Sequence, residues 1–594
     1  MQPAYFKMKI WTKSDPRSGF KHQIVCFEIP NSEHRQTKNK YAEIYAVPDT
    51  PATQYLKERF ADPDFCSETN FDLARSWIHD CLENHQACRG GERELLPTRV
   101  IEVSPSSENS DWIRLHISKG HEADGRYAAL SYCWGKQQTC VTSLESLAAN
   151  VAGMSLASLH KTIQDAVICT RKLGIPFLWV DALCIVQDSD EDKNREIGMM
   201  ADIYSHAAVT ISAAGAKDCD RGFLKMREDV GERYEQRSGP MPYRCPDGSV
   251  GKIFLVPVHH GSLWDNDKTE FIYERAWTHQ ERMLSPRILT YGYRQLAWQC
   301  LVVSRCDFDI EDLHYGSNIL DIRRFLHDCD RATLPSKTVI HSWWRDVVQE
   351  FSHGRLSVLS DKLLALSATA RRFGWALQME SHTYVSGLWL GDEFLKNLTW
   401  YSSRPLRIRL PDHFRRPNRG LPKPTWSWAS INGPVAYPQS FLHRSPVFTA
   451  TDSITVDVPF DGYFSEGFLA LTGIVLGPLT WSRLAEYFPS RTREHESEEP
   501  NDAGMGWVYP DENDELLYAG MVMDQGNHTE HEYWLFELAR LGRAKMGLVL
   551  RKAKDIPETS KYRRAGLYSM NTRLPETYQK QWEDVALFQT VVLI

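Results

Sequence analysis

The stretch Gly174–Phe223, GIPFLWVDALCIVQDSDEDKNREIGMMADIYSHAAVTISAAGAKDCDRGF, restricts the fold more than any other. Phe177, Leu178, Trp179 and Val180 form a short unbroken apolar run, which suits a strand covered on both faces. The run ends on a carboxylate, Asp181. In open α/β sheets ligands sit beyond the carboxyl ends of strands, so Asp181, Cys184, Gln187 and Asp188 are expected to project toward a cleft. A helix follows, with Ile197, Met200, Ala201 and Tyr204 at helical spacing. That stripe places Glu196 at its rim rather than on the solvated back.

The flanking sequence extends the alternation. Leu96–Val103 and Arg126–Cys133 read as strands, with Gly135 turning the chain just after Trp134, so that Ser131 and Trp134 also lie at a strand's carboxyl end. Large core or rim aromatics are the plainer role for Tyr132 and Trp134. Thr162 with Asp165 has the spacing of a capping box, opening a helix with Ile163, Ala166, Val167 and Thr170 on one face and Gly174 at its end. The order strand, helix, strand, helix, strand from Tyr127 to Ala213 predicts βαβ units and a mainly parallel sheet. Further on, Glu274–Met283 is expected to be a short helix stopped by Ser285-Pro286, with Trp277, Gln280 and Glu281 on one face, leading into a strand at Arg287–Tyr291.

Elsewhere the pattern is less definite. Residues 1–65 read as a strand-containing or partly flexible lead-in, followed by a helix carrying Phe71, Ala74, Trp77, Ile78, Cys81 and Leu82. Cys81, His85 and Cys88 invite a zinc reading, but three ligands without a paired CxxC fall short of the usual four, so these residues are assigned to packing and no metal is expected. Residues 224–270 read as an insertion of loops and short strands. Helical stripes then appear at Trp344, Val347, Val348 and Phe351, and at Leu363, Leu364, Leu366 and Ala370. Arg404–Pro424 is a basic, Pro-rich linker. Beyond Trp426, short β-type runs recur at Ile454–Val458, Phe468–Leu476, Leu517–Met523, Tyr533–Leu538 and Met546–Leu550, with a charged loop at Arg491–Asp514. The expected division is 1–90, an N-terminal lead-in with a helix; 91–310, an α/β domain; 311–425, a helical region; and 426–594, a β-rich domain.

Composition removes several classes of function. With 594 residues the chain exceeds one core. A net charge of -8, from 69 basic and 77 acidic residues, gives no general attraction to nucleic acid. There is no run of about 18 apolar residues and no signal-peptide layout at the N-terminus, so no membrane span is expected and the protein is placed in the cytoplasm or nucleus. The 13 cysteines lack the regular spacing of a secreted disulfide framework and read as reduced, mostly packed thiols.

Three blocks now stand in order: YAALSYCWG at Tyr127–Gly135, LWVDALCIVQD with REIGMMADIYSHA at Leu178–Ala207, and ERAWTHQERMLSPR at Glu274–Arg287. Together they resemble the fungal heterokaryon-incompatibility (HET) domain. WIHDCLENHQAC and LPTRVIEV upstream, and SDKLLALSA, YVSGLWL, PTWSWASING, GLVLR and YRRAGLY downstream, also resemble family features, so the likeness covers nearly the whole chain. It implies a role in self/non-self recognition and programmed cell death, with self-association or other incompatibility proteins as partners. The HET domain has been likened to the Toll/interleukin-receptor (TIR) fold, a flavodoxin-like parallel sheet, whose enzymatic members cleave the glycosidic bond of NAD. That likeness implies a central carboxylate in the helix after the third strand, where Glu196 lies.

Releasing nicotinamide from ribose passes through an oxocarbenium-like state that a nearby carboxylate stabilises, and the neutral leaving group needs no general acid. Glu196 is the first candidate and Asp181 the second. Ser131, Trp134, Gln187, Asp188, Trp277, Gln280 and Glu281 are candidate substrate contacts, the two indoles for stacking on a ring. NAD would then be a substrate; no cofactor is expected. The plain alternative for Glu196 is a solvated charge paired with Lys193, in which case Glu196→Gln changes stability by no more than about 0.5 kcal/mol. Cys184 and Cys133 lack an adjacent His to activate them. No Walker loop, GxGxxG or GxSxG stands in a convincing context. A non-enzymatic assembly module remains level with the enzyme, and the two differ in one observable. In the module Asp181, Glu196, Gln280 and Glu281 are bonded internally; in the enzyme they line an open pocket with unpaired polar groups.

Overall fold

The computed structural model describes residues 7–14, 21–30, 37–47, 49–56, 62–88, 96–104, 111–119, 125–135, 138–226, 240–258, 270–293, 295–307, 319–327, 334–379, 383–403, 424–431, 433–444, 446–448, 450, 469–480, 507–510, 532–541, 544–553, 561–570 and 587–593. The expected strands Ile454–Val458 and Leu517–Met523 lie outside these residues, as do nearly all of the basic linker and of the charged loop. Trp507–Pro510, within that expected loop, is a strand. The chain divides into two compact units, residues 1–273 with 284–327, and residues 274–283 with 328–594.

In the first unit, β1 (Lys7–Ser14), β2 (Lys21–Pro30) and β3 (Thr37–Ala46) form an antiparallel sheet. Helix α1 (Glu68–Asn84) follows, its first turn capped by the Ser67 hydroxyl, which accepts from the Asn70 amide. Then come β4 (Arg99–Glu102), β5 (Trp112–Ile117), β6 (Tyr127–Ser131), β7 (Met154–Ser155), α2 (Lys161–Lys172), β8 (Phe177–Trp179), the short α3 (Asp181–Cys184), α4 (Asp190–His206) and β9 (Val209–Ser212). β10 (Met241–Arg244) and β11 (Val250–Val258) return to the first sheet, β11 pairing with β3 around a core of Ile44, Ala46, Ala52, Leu56, Cys245 and Ile253. The lead-in and the insertion thus share one sheet. β12 (Arg287–Tyr291), β13 (Leu296–Cys300) and β14 (Ser304–Cys306) complete the central sheet.

That central sheet has nine strands in the order β14-β13-β12-β9-β6-β8-β4-β5-β7. Parallel pairing is confined to β8 with β6, β6 with β9, and β9 with β12; the flanks pair antiparallel. The expectation of a mainly parallel sheet is corrected to a mixed one. The cause is loop length: the connections from β4 to β5 and through β12, β13 and β14 are too short for a helical crossover, which takes about a dozen residues or more. Every residue of β6, β9 and β12 is buried, as in a sheet covered on both faces, and the polar ones among them include Thr210, bonded to Ser285 (2.6 Å), and Arg287, which donates to the Ala208 carbonyl. The capping-box expectation also fails. Thr162 donates its hydroxyl to the Asp218 carbonyl (3.1 Å), and Asp165 accepts from the amides of Phe223 and Leu224, so both fasten a loop instead of their own helix end.

The second unit contains α5 (Ala276–Leu284, less its last residue), α6 (Lys337–Ser352) and α7 (Ser367–Leu377). The fully buried Trp344 of α6 meets the rings of Phe373, Tyr384 and Trp389 at 5.2, 5.6 and 5.9 Å. The Gly387 carbonyl accepts from the indoles of Trp344 (3.3 Å) and Trp428 (2.9 Å), while Ser427 donates to the Ser386 carbonyl at 2.5 Å. Lys362 caps the Ile431 carbonyl (2.6 Å) with its ammonium 5.1 Å from the Trp428 ring. The downstream stretches SDKLLALSA, YVSGLWL and PTWSWASING therefore meet in one core. The C-terminal strands Leu469–Thr480, Glu532–Leu541, Ala544–Lys552, Lys561–Met570 and Leu587–Leu593 close into a barrel, each hydrogen-bonded to the next and the last to the first. Closure leaves no edge among these five, and Leu469, Leu471, Gly473 and Val475 alternate inward. Buried Arg564 joins the barrel to the helical segment through the Leu398 carbonyl (2.8 Å) and the Trp400 ring (3.5 Å).

Candidate functional site

The carboxyl ends of β6 and β8 bring part of the expected site together. Asp181 opens α3 directly after β8; its Oδ2 accepts from Trp134 Nε1 at 2.8 Å and its Oδ1 from the Ala182 amide at 2.7 Å. Both side chains are half-buried, so the pair reaches the surface. Gln187 donates to the Asp181 carbonyl (3.0 Å), and its own amide donates to the Thr142 carbonyl (2.8 Å). Asp188 is exposed and accepts from the Leu144 amide at 2.8 Å. Ser131 is buried at the end of β6, opposite Ser212 of β9.

Glu196 does not join this group. Its relative exposure is 0%, and it lies within the buried stripe of α4, which runs through Asp192, Glu196, Met200, Ile203 and Tyr204 rather than through Ile197 and Ala201. The stripe is displaced because Arg99 of β4 draws two carboxylates inward. Arg99 Nη2 lies 2.5 Å from Asp192 Oδ2 and 3.6 Å from Glu196 Oε1, and Arg99 Nε donates to the Cys184 carbonyl at 2.6 Å. Asp192 Oδ2 also accepts from the Val186 amide (2.8 Å), and Arg195 reaches both acids. Among the described residues Glu196 Oε2 has no hydrogen-bond partner. The expected pairing with Lys193 is replaced by one to Asp190, at 3.0 Å. Cys184 sits beside this network, its thiol pushed up to about 12 by burial, which removes it as a nucleophile near neutral pH.

Residues 274–283 of the third block belong to the second unit. Trp277 of α5 is half-buried, and Gln280 and Glu281 are buried, with Gln280 Oε1 lacking a partner among the described residues. The same helix holds Glu350 of α6 through Arg282 (2.9 Å) and His279 (3.2 Å). Burial alone would raise the Glu350 carboxyl, but Arg282 and His279 outweigh it and bring it down to about 2.

One cluster was read only in part from the sequence. Cys81 lies in the last turn of α1, His85 caps that helix, and a tight turn from Gln86 to Cys88 brings Cys88 back beside them. Cys300, at the end of β13, supplies the fourth group that the spacing of the first three could not reveal. All four residues are buried, and their candidate ligand atoms lie within 4.8 Å of one another. Cys300 Sγ is 3.4 Å from His85 Nδ1 and accepts from the amides of Val302 (3.4 Å) and Val303 (3.3 Å). Contacts from Cys81 and Cys88 hold the Cys300 thiol far below its usual range, and their contacts with Cys300 push the other two thiols up.

Residues 127–281 match the family described as Heterokaryon incompatibility protein (HET). The chain is also similar to heterokaryon incompatibility protein 6, OR allele, of Neurospora crassa, at 24% identity over 224 residues that cover 30% of this chain and 32% of that protein. The match thus spans about a third of that relative's length. No solved structure matches the chain. The α/β region that contains Asp181 and Glu196 is the matched region, and it is there that the chain is similar to the fungal heterokaryon-incompatibility family.

Proposed function

We propose that this protein works in the cytoplasm as an incompatibility protein of self/non-self recognition and cell death, acting by assembly with itself or with another incompatibility protein. In this reading the polar residues of the HET blocks are a framework that shapes the α/β unit. One observation carries it: the two carboxylates nearest the strand ends are engaged inside their own fold, Asp181 by Trp134 and the Ala182 amide, Glu196 by Arg99. Induced expression in a fungal host is expected to arrest growth. Asp181→Asn and Glu196→Gln should weaken the arrest only in proportion to the folded protein they lose. For Glu196 that loss is expected to be about 1–3 kcal/mol, the cost of disturbing a buried charge-assisted bond, not the 0.5 of a solvated residue. No arrest by the wild type, or arrest abolished by Asp181→Asn at undiminished folded level, overturns the reading.

A second reading is glycosidic cleavage of NAD or a related nucleotide on a TIR-like centre. The position of Asp181 favours it: a half-buried carboxylate at a strand's carboxyl end with an indole alongside offers both charge stabilisation and a stacking face. Asp181 rather than Glu196 carries the chemistry in this reading, because a fully enclosed carboxylate held by Arg99 cannot touch a ribose.

A further inference from the structure

We propose that Cys81, His85, Cys88 and Cys300 bind one zinc ion in a closed, structural site that fastens the end of α1 to β13. Three sulfurs and one imidazole nitrogen are a donor set that selects zinc in a tetrahedral site. Zn–S bonds of about 2.3 Å and a Zn–N bond of about 2.0 Å place tetrahedral ligand atoms about 3.5–3.8 Å apart. The 3.4 Å between Cys300 Sγ and His85 Nδ1, and the 4.8 Å limit on the whole set, need only a small contraction to meet that geometry.

The surroundings are built for thiolate charge. The chain turns sharply after Cys300, whose amide donates to the Val303 carbonyl at 2.9 Å, and this turn aims the Val302 and Val303 amides at Sγ. Such N–H donors stabilise a metal-bound thiolate without competing for the metal. On the opposite side Arg287 of β12 donates to the Cys88 carbonyl (2.6 Å) and the Ala208 carbonyl (2.5 Å), which fixes the Cys88 turn against the sheet. Because all four ligands come from the protein and are buried, no coordination position is left for substrate, and the ion's role is to hold the fold. Binding is balanced by loss of the three thiol protons to solvent, with histidine bound as the neutral imidazole.

The test uses the full chain without an affinity tag, purified under reducing conditions and without added metal. Elemental analysis is expected to find one zinc per chain, and X-ray absorption at the zinc edge three sulfur and one nitrogen neighbours. Cys300→Ser should lower zinc content more than about tenfold, while Cys169→Ser, a buried thiol against Tyr291, should leave it unchanged. If Cys300→Ser does not fold, titration of the wild type with an organomercurial decides the matter, because zinc should appear on a chromogenic chelator in step with the loss of three thiols. Absence of stoichiometric zinc, iron in its place, a coordination shell of nitrogen and oxygen alone, or full zinc retention in folded Cys300→Ser each overturns the proposal.

Discussion

Arg99→Met is expected to destabilise the first unit by about 3–5 kcal/mol, because it takes the buried cation from two buried carboxylates and leaves them only the half-exposed Arg195. Arg99 and Asp192 are 6% and 7% exposed and Glu196 is 0% exposed, so water cannot replace the lost partner. The guanidinium also satisfies the Cys184 carbonyl at 2.6 Å, and methionine offers no donor there. Urea unfolding followed by circular dichroism should show a lower midpoint. The double change Arg99→Met with Glu196→Gln should recover part of the loss, since one of the two buried negative charges is removed with it. A midpoint unchanged in Arg99→Met would mean that the network bears no stability.

Gly387→Ala is expected to be comparably damaging in the second unit, for a steric reason. Gly387 has φ +90°, and a Cβ there would lie 2.6 Å from Trp428 Nε1 and 2.9 Å from Trp428 Cε2. The backbone conformation costs a non-glycine residue about 1–3 kcal/mol, and forcing a methyl into a filled core adds about 1–3 kcal/mol more. Trp428 cannot retreat easily, because its indole is buried and donates to the Gly387 carbonyl itself. Gly248→Ala separates the two contributions: it has φ +86° with nothing among the described residues within 4 Å of the added methyl, so it should show the backbone cost alone. Equal losses of melting temperature, each scaled to its own unit, would show that packing around Gly387 gives way.

These cases also show which parts of the molecule could be read from local sequence. The strand, helix and strand from Phe177 to Ser212 were legible because burial on both faces leaves an unbroken apolar run, and an amphipathic helix leaves a period. The pairing direction of the flanking strands was not, since it depends on loop lengths that local patterns do not weigh. Glu196 was misplaced at the rim because the cation that draws it inward, Arg99, lies on another strand and pairs with Asp192 across 93 residues. A periodicity search counts a carboxylate as a surface residue unless its distant partner is known. Distance hid Cys300 even more completely, since it stands 215 positions from His85 in the chain. The first three ligands were visible through their spacing on one helix end, whereas the fourth is supplied by sheet topology alone. Likewise the strands at Lys7–Ala46 carried little local period, and their sheet is completed only by β11, some two hundred residues later in the chain.

The framework account is tested most directly by incubating purified wild-type protein with NAD and following nicotinamide by chromatography. The account predicts release no faster than in buffer, because Asp181 and Glu196 are committed to Trp134 and Arg99. Nicotinamide release by the wild type that disappears in a folded Asp181→Asn variant would contradict it and establish the glycosidic reading in its place.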